Sequence, residues 1–257
     1  MRDQAGESPA AVGRILLTGA RRGIGAACAL GLAAPGAHLF LHHVAAAAEI
    51  AEVADSCRRL GAEVSVLEAD LRDPIAAAGL ADQAGPVDVL VNNAARPSNV
   101  GLEELTDEEW RDTLAVNVGA PMVLARQLVP GMRERGWGRI VNVTSATVRM
   151  GGPSGPAYVA SKAALIGLTR SLARTLGLTG ITVNALSPGA VQTENEAELM
   201  GDRMTQQQID AQVYSRQALG RRLVPQDMVG CLKFLVSAEA AAMTGQVVEV
   251  GGGIVYR

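Results

Sequence analysis

Short apolar runs alternate with helical stretches along almost the whole of this chain, and that alternation constrains the fold more than any other feature. Ile15–Thr18, His38–Leu41, Val64–Leu67, Val87–Val91, Arg139–Val143, Thr182–Leu186 and Gln246–Val250 read as strands. Several are β-branched and most lack polar alternation, the pattern of strands buried on both faces. Between them, helices are expected to begin near Ile24, Ala46, Pro74, Thr106, Ala157 and Pro225. Thr106 with Glu109 has capping-box spacing, and Pro225 suits a first helical turn. Alternation repeated this often implies one α/β domain: a doubly wound parallel sheet of seven strands with helices on both faces. A ligand crevice then belongs at the carboxyl ends of the strands, where the strand order reverses.

The bulk properties agree. A chain of 257 residues, 48 % of them hydrophobic, is long enough for one well-buried core, here residues 14–257. The formal net charge of −3 leaves no basic footprint for nucleic acid. Met1–Gly13 is polar and alanine-rich without an apolar core, so it reads as a flexible N-terminal tail rather than a signal peptide. No run of about 18 apolar residues exists to span a membrane. Cys28, Cys57 and Cys231 have neither disulfide nor metal-ligand spacing and read as small buried hydrophobes of a cytoplasmic protein.

Directly after the first strand comes Thr18-Gly19-Ala20-Arg21-Arg22-Gly23-Ile24-Gly25, which opens a helix. Gly19 permits a tight turn, Gly23 lets the backbone approach a phosphate, and Gly25 allows helix and strand to pack closely. The helix N-terminus would then face a pyrophosphate. The second strand ends in Leu41-His42-His43-Val44, with no acid from Leu41 to Ala48 to accept from an adenosine ribose 2′-OH. Arg21 and Arg22 instead lie in the loop itself. Arg22, with His43 beside it, could meet a 2′-phosphate, so NADP(H) is expected over NAD(H), with NAD(H) still usable. The other reading of both arginines is solvated loop charge.

Tyr158-Val159-Ala160-Ser161-Lys162 places a phenol and an ammonium on one helical face, with Ser145 upstream. An ordinary tyrosine, with a pKa of about 10, is a poor acid or base near neutrality. A lysine cation within roughly 4–6 Å is expected to lower that value, and a serine hydroxyl beside the phenol could hold a carbonyl or alcohol oxygen. The trio suits proton transfer at a C–O centre.

Together these segments resemble the short-chain dehydrogenase/reductase family, from about Arg14 to Gly253, on its 3-oxoacyl reductase or sugar and polyol dehydrogenase branch. The matching pieces are the Thr18–Gly25 loop, Asp70-Leu71, Asn92-Asn93-Ala94-Ala95, Asn117, Ser145, Tyr158/Lys162 and Pro188-Gly189-Ala190-Val191-Gln192-Thr193. The resemblance implies a Rossmann-type single domain and a hydride transfer between a nicotinamide cofactor and a ketone or secondary alcohol. It implies Tyr158 as general acid/base, Ser145 polarising the substrate oxygen, Lys162 also holding the nicotinamide ribose, and Asn117 as the helix-break residue that positions a relay water. Asp70 and Leu71 would touch adenine, Asn93 and Ala94 the adenosine ribose, and Val191 and Thr193 the nicotinamide amide, with Ala95, Pro188 and Gly189 also among the cofactor-binding residues. Ala95 departs from the family's glycine, and Asp70 could instead cap the next helix. Gly136 and Thr179 occupy positions where carrier-dependent relatives place basic residues, although Arg133, Arg135 and Arg174 lie nearby; this argues against a carrier-protein substrate and leaves a free or coenzyme-A thioester open. Glu194–Gln217 would form a variable substrate lid. Apolar residues on several faces of Thr106–Met132 and Ala157–Leu176, namely Leu114, Val118, Met122, Leu128, Leu165, Leu168 and Leu172, suggest a homotetramer, with a dimer as fallback. A competing reading is a cofactor-binding redox sensor without turnover.

Overall fold

The computed structural model describes residues 13–194, 196 and 205–256. The expected tail therefore lies almost wholly outside the described residues, as does part of the expected lid.

Seven parallel strands form one sheet in the order β3-β2-β1-β4-β5-β6-β7: β1 (Arg14–Leu17), β2 (His38–His43), β3 (Glu63–Glu68), β4 (Val89–Asn92), β5 (Gly138–Val143), β6 (Ile181–Pro188) and β7 (Val247–Val250). The helices are α1 (Gly23–Leu32), α2 (Ala47–Arg59), α3 (Pro74–Ala84), α4 (Asp107–Leu114), α5 (Ala120–Glu134), α6 (Thr147–Met150), α7 (Pro156–Leu176), α8 (Gln206–Tyr214) and α9 (Val229–Val236). Two apolar layers cover the two faces of the sheet. Leu16, Phe40, Leu90 and Ile140 meet Leu80, Leu124 and Met132 on one side, and Ile15, Leu39, Val89 and Val141 meet Cys28, Ile50 and Leu232 on the other. Neighbouring strand residues alternate between the layers, so central strands are apolar throughout. The edge strands differ: β3 is buried at none of its six positions, and β7 is half-buried along its length.

Local details correct the sequence reading in places. The Thr106 side chain accepts from the Glu109 amide at 3.1 Å, as a cap should. The Glu109 carboxylate, however, turns to Arg96 at 2.6 Å rather than back to the cap. The expected Thr106–Met132 helix is interrupted by a π turn, Ala115–Gly119, between α4 and α5, around Asn117. Pro225 opens a 3₁₀ turn, Pro225–Met228, before α9. Leu128 and Leu165 face the core, so they offer nothing to a partner, whereas Met122 is 40 % exposed. All three cysteines are free thiols.

The strand order reverses between β1 and β4, and the loops leaving those strands diverge there to open the cleft.

Candidate active site

The loop after β1 is fixed by its own donors and acceptors. Gly19 has φ +67°, and a Cβ there would stand 2.7 Å from the Ala94 Cα, so only glycine fits. A Cβ at Gly25 would overlap the Gly19 carbonyl and lie 2.6 Å from the Asn93 Nδ2. Asn93 knots the loop to β4, donating to the Thr18 carbonyl at 3.0 Å and to the Gly19 carbonyl at 2.9 Å. The Thr18 hydroxyl oxygen accepts from the Asn93 and Ala94 amides, each at 3.0 Å. His42 completes the lock: its Nδ1 accepts from the Gly19 amide at 3.1 Å and its Nε2 donates to the Ala69 carbonyl at 3.0 Å. Burial drives the His42 pKa down to about 4, so the ring stays neutral in this tautomer.

At the end of β2, His43 is buried and its Nδ1 accepts from the Ala46 amide at 3.3 Å, which ties the ring to the start of α2. Its expected part in meeting a phosphate is thereby restricted to the remaining ring edge. Arg21 donates to Glu49 at 2.8 Å, an acid one residue beyond the acid-free window noted in the sequence. Asp70 accepts from both the guanidinium and the backbone amide of Arg72, whose pairing holds its carboxyl below the usual range. Asp73, not Asp70, caps α3, accepting from the Ile75 amide at 2.8 Å. Among the described residues Ala45 is the one non-glycine with positive φ, so the Cβ of Ala95 sits on ordinary backbone.

At the other end, Ser145 follows β5 and Tyr158 and Lys162 lie on the first turns of α7. The Lys162 Nζ donates to the Val143 carbonyl at 2.8 Å and lies 5.5 Å from the centre of the Tyr158 ring. The ammonium is 1 % exposed, and burial lowers its pKa to about 8. The expectation that Lys162 lowers the Tyr158 pKa does not hold here: burial pushes the phenol up to about 12, and the Ser145 hydroxyl beside it pulls only partly the other way.

Asn117 is fully buried in the π turn. Its Nδ2 donates to the Ser161 hydroxyl at 2.9 Å and the Arg96 carbonyl at 3.1 Å, and its Oδ1 accepts from the Arg96 amide at 2.8 Å. It braces the loop after β4 against α7 and does not line the cleft.

One cavity of about 630 Å³ runs between the two ends. It is lined by Gly19, Arg21, Arg22, Gly23, Ile24, Gly25, His43, Asp70, Leu71, Asn93, Ala94, Ala95, Ser145, Tyr158, Lys162, Pro188, Gly189, Val191 and Thr193, so of the expected site residues only Asn117 stands behind the wall. The lining also contains Arg72, Arg96, Val116 and Thr144, which sequence motifs did not single out. Arg72 and Arg96 each follow a quoted motif by a single residue, the one signal that could have found them.

Residues 19–255 match the family model described as enoyl-(acyl carrier protein) reductase. The chain belongs to the short-chain dehydrogenase/reductase family. A probable galactose dehydrogenase of Rhizobium meliloti (strain 1021) is 39 % identical over 244 residues, covering 93 % of this chain and 94 % of the relative. A structure from Beutenbergia cavernae, provisionally named an NAD(P)-dependent gluconate 5-dehydrogenase and holding NADP at low occupancy, superposes with a TM-score of 0.87 at 39 % identity. It covers 95 % of this chain and 97 % of that one. A 3-oxoacyl (acyl-carrier-protein) reductase from Agrobacterium tumefaciens C58, with NADP bound, gives 0.87 at 34 % identity and 95 % and 94 % coverage. As a short-chain dehydrogenase/reductase, the chain is an oxidoreductase that transfers a hydride between nicotinamide and a CH–OH or carbonyl carbon. The reading as a sensor without turnover gains no support. No described helix is long and apolar enough to cross a membrane.

Proposed function

We propose that the protein is an NADP(H)-dependent dehydrogenase of small polyhydroxylated secondary alcohols and their ketones, with Ser145, Tyr158 and Lys162 as its catalytic residues. The observation that carries this reading is the convergence of those three side chains on one wall of a cleft whose other end is the glycine loop. The residues suit a dinucleotide. The loop backbone approaches without Cβ obstruction, α1 begins at the loop, and Arg21 and Arg22 line the cavity where no carboxylate terminates β2. Val191 and Thr193 would hold the nicotinamide end, Asp70 and Leu71 the adenine.

When bound, nicotinamide supplies or accepts the hydride. The protein's own residues manage the oxygen. Ser145 holds the substrate oxygen by donating to it, and Tyr158, protonated at neutral pH with its pKa near 12, gives up its proton as charge develops there. Lys162, with its pKa near 8, helps replace that proton. Asn117 keeps α7 and the Arg96 loop in register behind them. The phenol is in the form that reduction needs at neutral pH, and alcohol oxidation should accelerate as pH rises because Tyr158 must first lose its proton.

The substrate class rests on two supports. The relatives of 39 % identity carry sugar and sugar-acid names. Gly136 and Thr179 leave the expected carrier-docking positions without basic side chains. A panel of aldoses, aldonates, polyols and 3-oxoacyl thioesters, run with both cofactors in both directions, tests the reading. Turnover confined to thioesters would overturn it. We further propose a cytoplasmic homotetramer, its assembly supported by the exposure of Met122 on α5 and the half-buried Leu168 on α7. Light scattering that finds a 26.6 kDa monomer at micromolar concentration would refute the assembly.

A further inference from the structure

The segment that carries Ser145 is held on both sides by β6. The Thr144 amide donates to the Leu186 carbonyl at 2.8 Å and its hydroxyl to the same oxygen at 3.2 Å. The Ala146 amide donates to the Pro188 carbonyl at 3.0 Å. With the backbone fixed, the remaining freedom of Ser145 is the rotation of its side chain and of its O–H bond. Thr147, the first residue of α6, addresses both. Its amide donates to the Ser145 Oγ at 3.2 Å, and its hydroxyl lies 2.9 Å from the same atom.

From this we infer that Thr147 is a positioning residue: it donates twice to the Ser145 oxygen and so commits the serine's single proton to the cleft. This rests on the reading of Ser145 as the group that holds the substrate oxygen. A hydroxyl has one proton and two lone pairs. Two donors from Thr147 occupy the lone pairs, and the proton is left for whatever oxygen stands on the open side. That oxygen is the Tyr158 phenol, which lies beside Ser145. A substrate oxygen entering between the two would meet the same donor already aimed at it. Chains of hydroxyls polarise one another, so a serine that accepts from Thr147 is also a stronger donor. The opposite polarity, Ser145 donating to Thr147, would turn its proton away from the substrate and leave it an acceptor facing a developing negative charge.

Thr147→Val tests the assignment because it removes the hydroxyl, retains the β-branched shape and keeps the amide donor. Expected is a fall in kcat of about fivefold, the scale of one net hydrogen bond. KM and the dissociation constant of NADPH, read by fluorescence titration, should stay within about twofold, because the bond matters most as charge develops. Thr147→Ser, which restores the donor, should recover most of the loss. The rising limb of alcohol oxidation should move to higher pH in Thr147→Val, since a weaker Ser145 donor stabilises the phenolate less. In a Ser145→Ala background the valine should have no further effect on kcat. A Thr147→Val enzyme with wild-type kcat and pH profile, or a loss that adds in full to that of Ser145→Ala, overturns the inference. If Ser145→Ala itself leaves turnover intact, the proposed role of Ser145 falls first. If Ser145→Ala is crippled while Thr147→Val is not, only the inference about Thr147 falls.

Discussion

The two ends of the cleft handle charge in opposite ways. At the catalytic end, the ionisable groups are enclosed and burial displaces them, Lys162 down to about 8 and Tyr158 up to about 12. At the adenosine end, the charged groups are partly exposed and paired with one another: Arg21 with Glu49 at 2.8 Å, and Arg72 with Asp70 at 2.5 Å. Exposed pairs of this kind are worth little to stability and rearrange at small cost. On the proposed function, one end moves a proton and the other reads the charge of a ligand.

The sharpest test of that contrast removes the proton donor. Tyr158→Phe should lower kcat by roughly 10²–10⁴-fold, the usual range for a positioned acid/base. NADPH affinity should stay within a few-fold, because the phenol contributes little to holding the dinucleotide. A mutant that retains near wild-type kcat would end the assignment, and one that loses cofactor binding to the same degree would show that the ends are not separable.

His42 is the exception that sharpens the comparison, since it is a buried ionisable group at the adenosine end that serves as scaffold. Its folded pKa, near 4, lies below the 6.5 of an ordinary histidine. Between those values the unfolded chain binds the proton and the folded one does not, so stability is full above about pH 6.5 and is lost as pH falls toward 4. The loss should reach on the order of 2–3 kcal/mol from this ring alone. Urea midpoints measured from pH 7 to pH 4 should fall for wild type and fall less for His42→Gln, which starts lower because its lock on Gly19 is disturbed. Parallel pH slopes for the two proteins would show that His42 does not carry the effect.

Arg22 addresses the reading of charge directly. A charge-assisted bond to a 2′-phosphate is worth about 1.5–3 kcal/mol when partly desolvated. Arg22→Ala should thus cut the NADPH-to-NADH ratio of kcat/KM by roughly ten- to a hundredfold, mostly through NADPH. Wild-type preference for NADH, or an unchanged ratio in the mutant, would defeat the claim.

These tests also mark where sequence reasoning reached and where it stopped. The order of strands and helices was legible because apolar periodicity reports burial directly, and the glycine loop because close backbone approach excludes Cβ atoms. The spacing of Tyr158 and Lys162 placed both on one helical face without any coordinates. What spacing could not decide was a competition between effects. The Tyr158 pKa depends on how burial weighs against the groups around the phenol, and burial outweighs the Ser145 hydroxyl here. Leu128 and Leu165 illustrate the same limit, because an apolar residue on a helix can face the core or a partner, and these two face the core. His42 carried no signal, since a histidine in an apolar strand looks alike whether it is core or scaffold. The Asn117 side chain was expected near the chemistry and stands one layer behind it, in a π turn at the residue where the family resemblance implied a helix break.

The smallest effect expected belongs to Glu49, and it bears most directly on whether the adenosine end reads charge through its own ion pairs. Glu49 holds Arg21 at 2.8 Å, with 52 % of the acid side chain exposed. A dianionic 2′-phosphate arriving in this part of the cleft must either share Arg21 with that carboxylate or displace it. An exposed pair of this type contributes about 0.2–1 kcal/mol, so releasing Arg21 should favour the phosphate by no more than that amount. Glu49→Gln retains the length of the side chain and removes the charge. Its NADPH-to-NADH ratio should rise by about two- to fivefold, and the dissociation constant of NADPH should tighten to match, while kcat stays unchanged. The gain should shrink in high salt, because the pair and the competing phosphate are both screened. A ratio that falls in Glu49→Gln would mean that Glu49 orients Arg21 for the phosphate rather than competing for it, and a kcat that changes with the ratio would mean that the two ends of the cleft communicate.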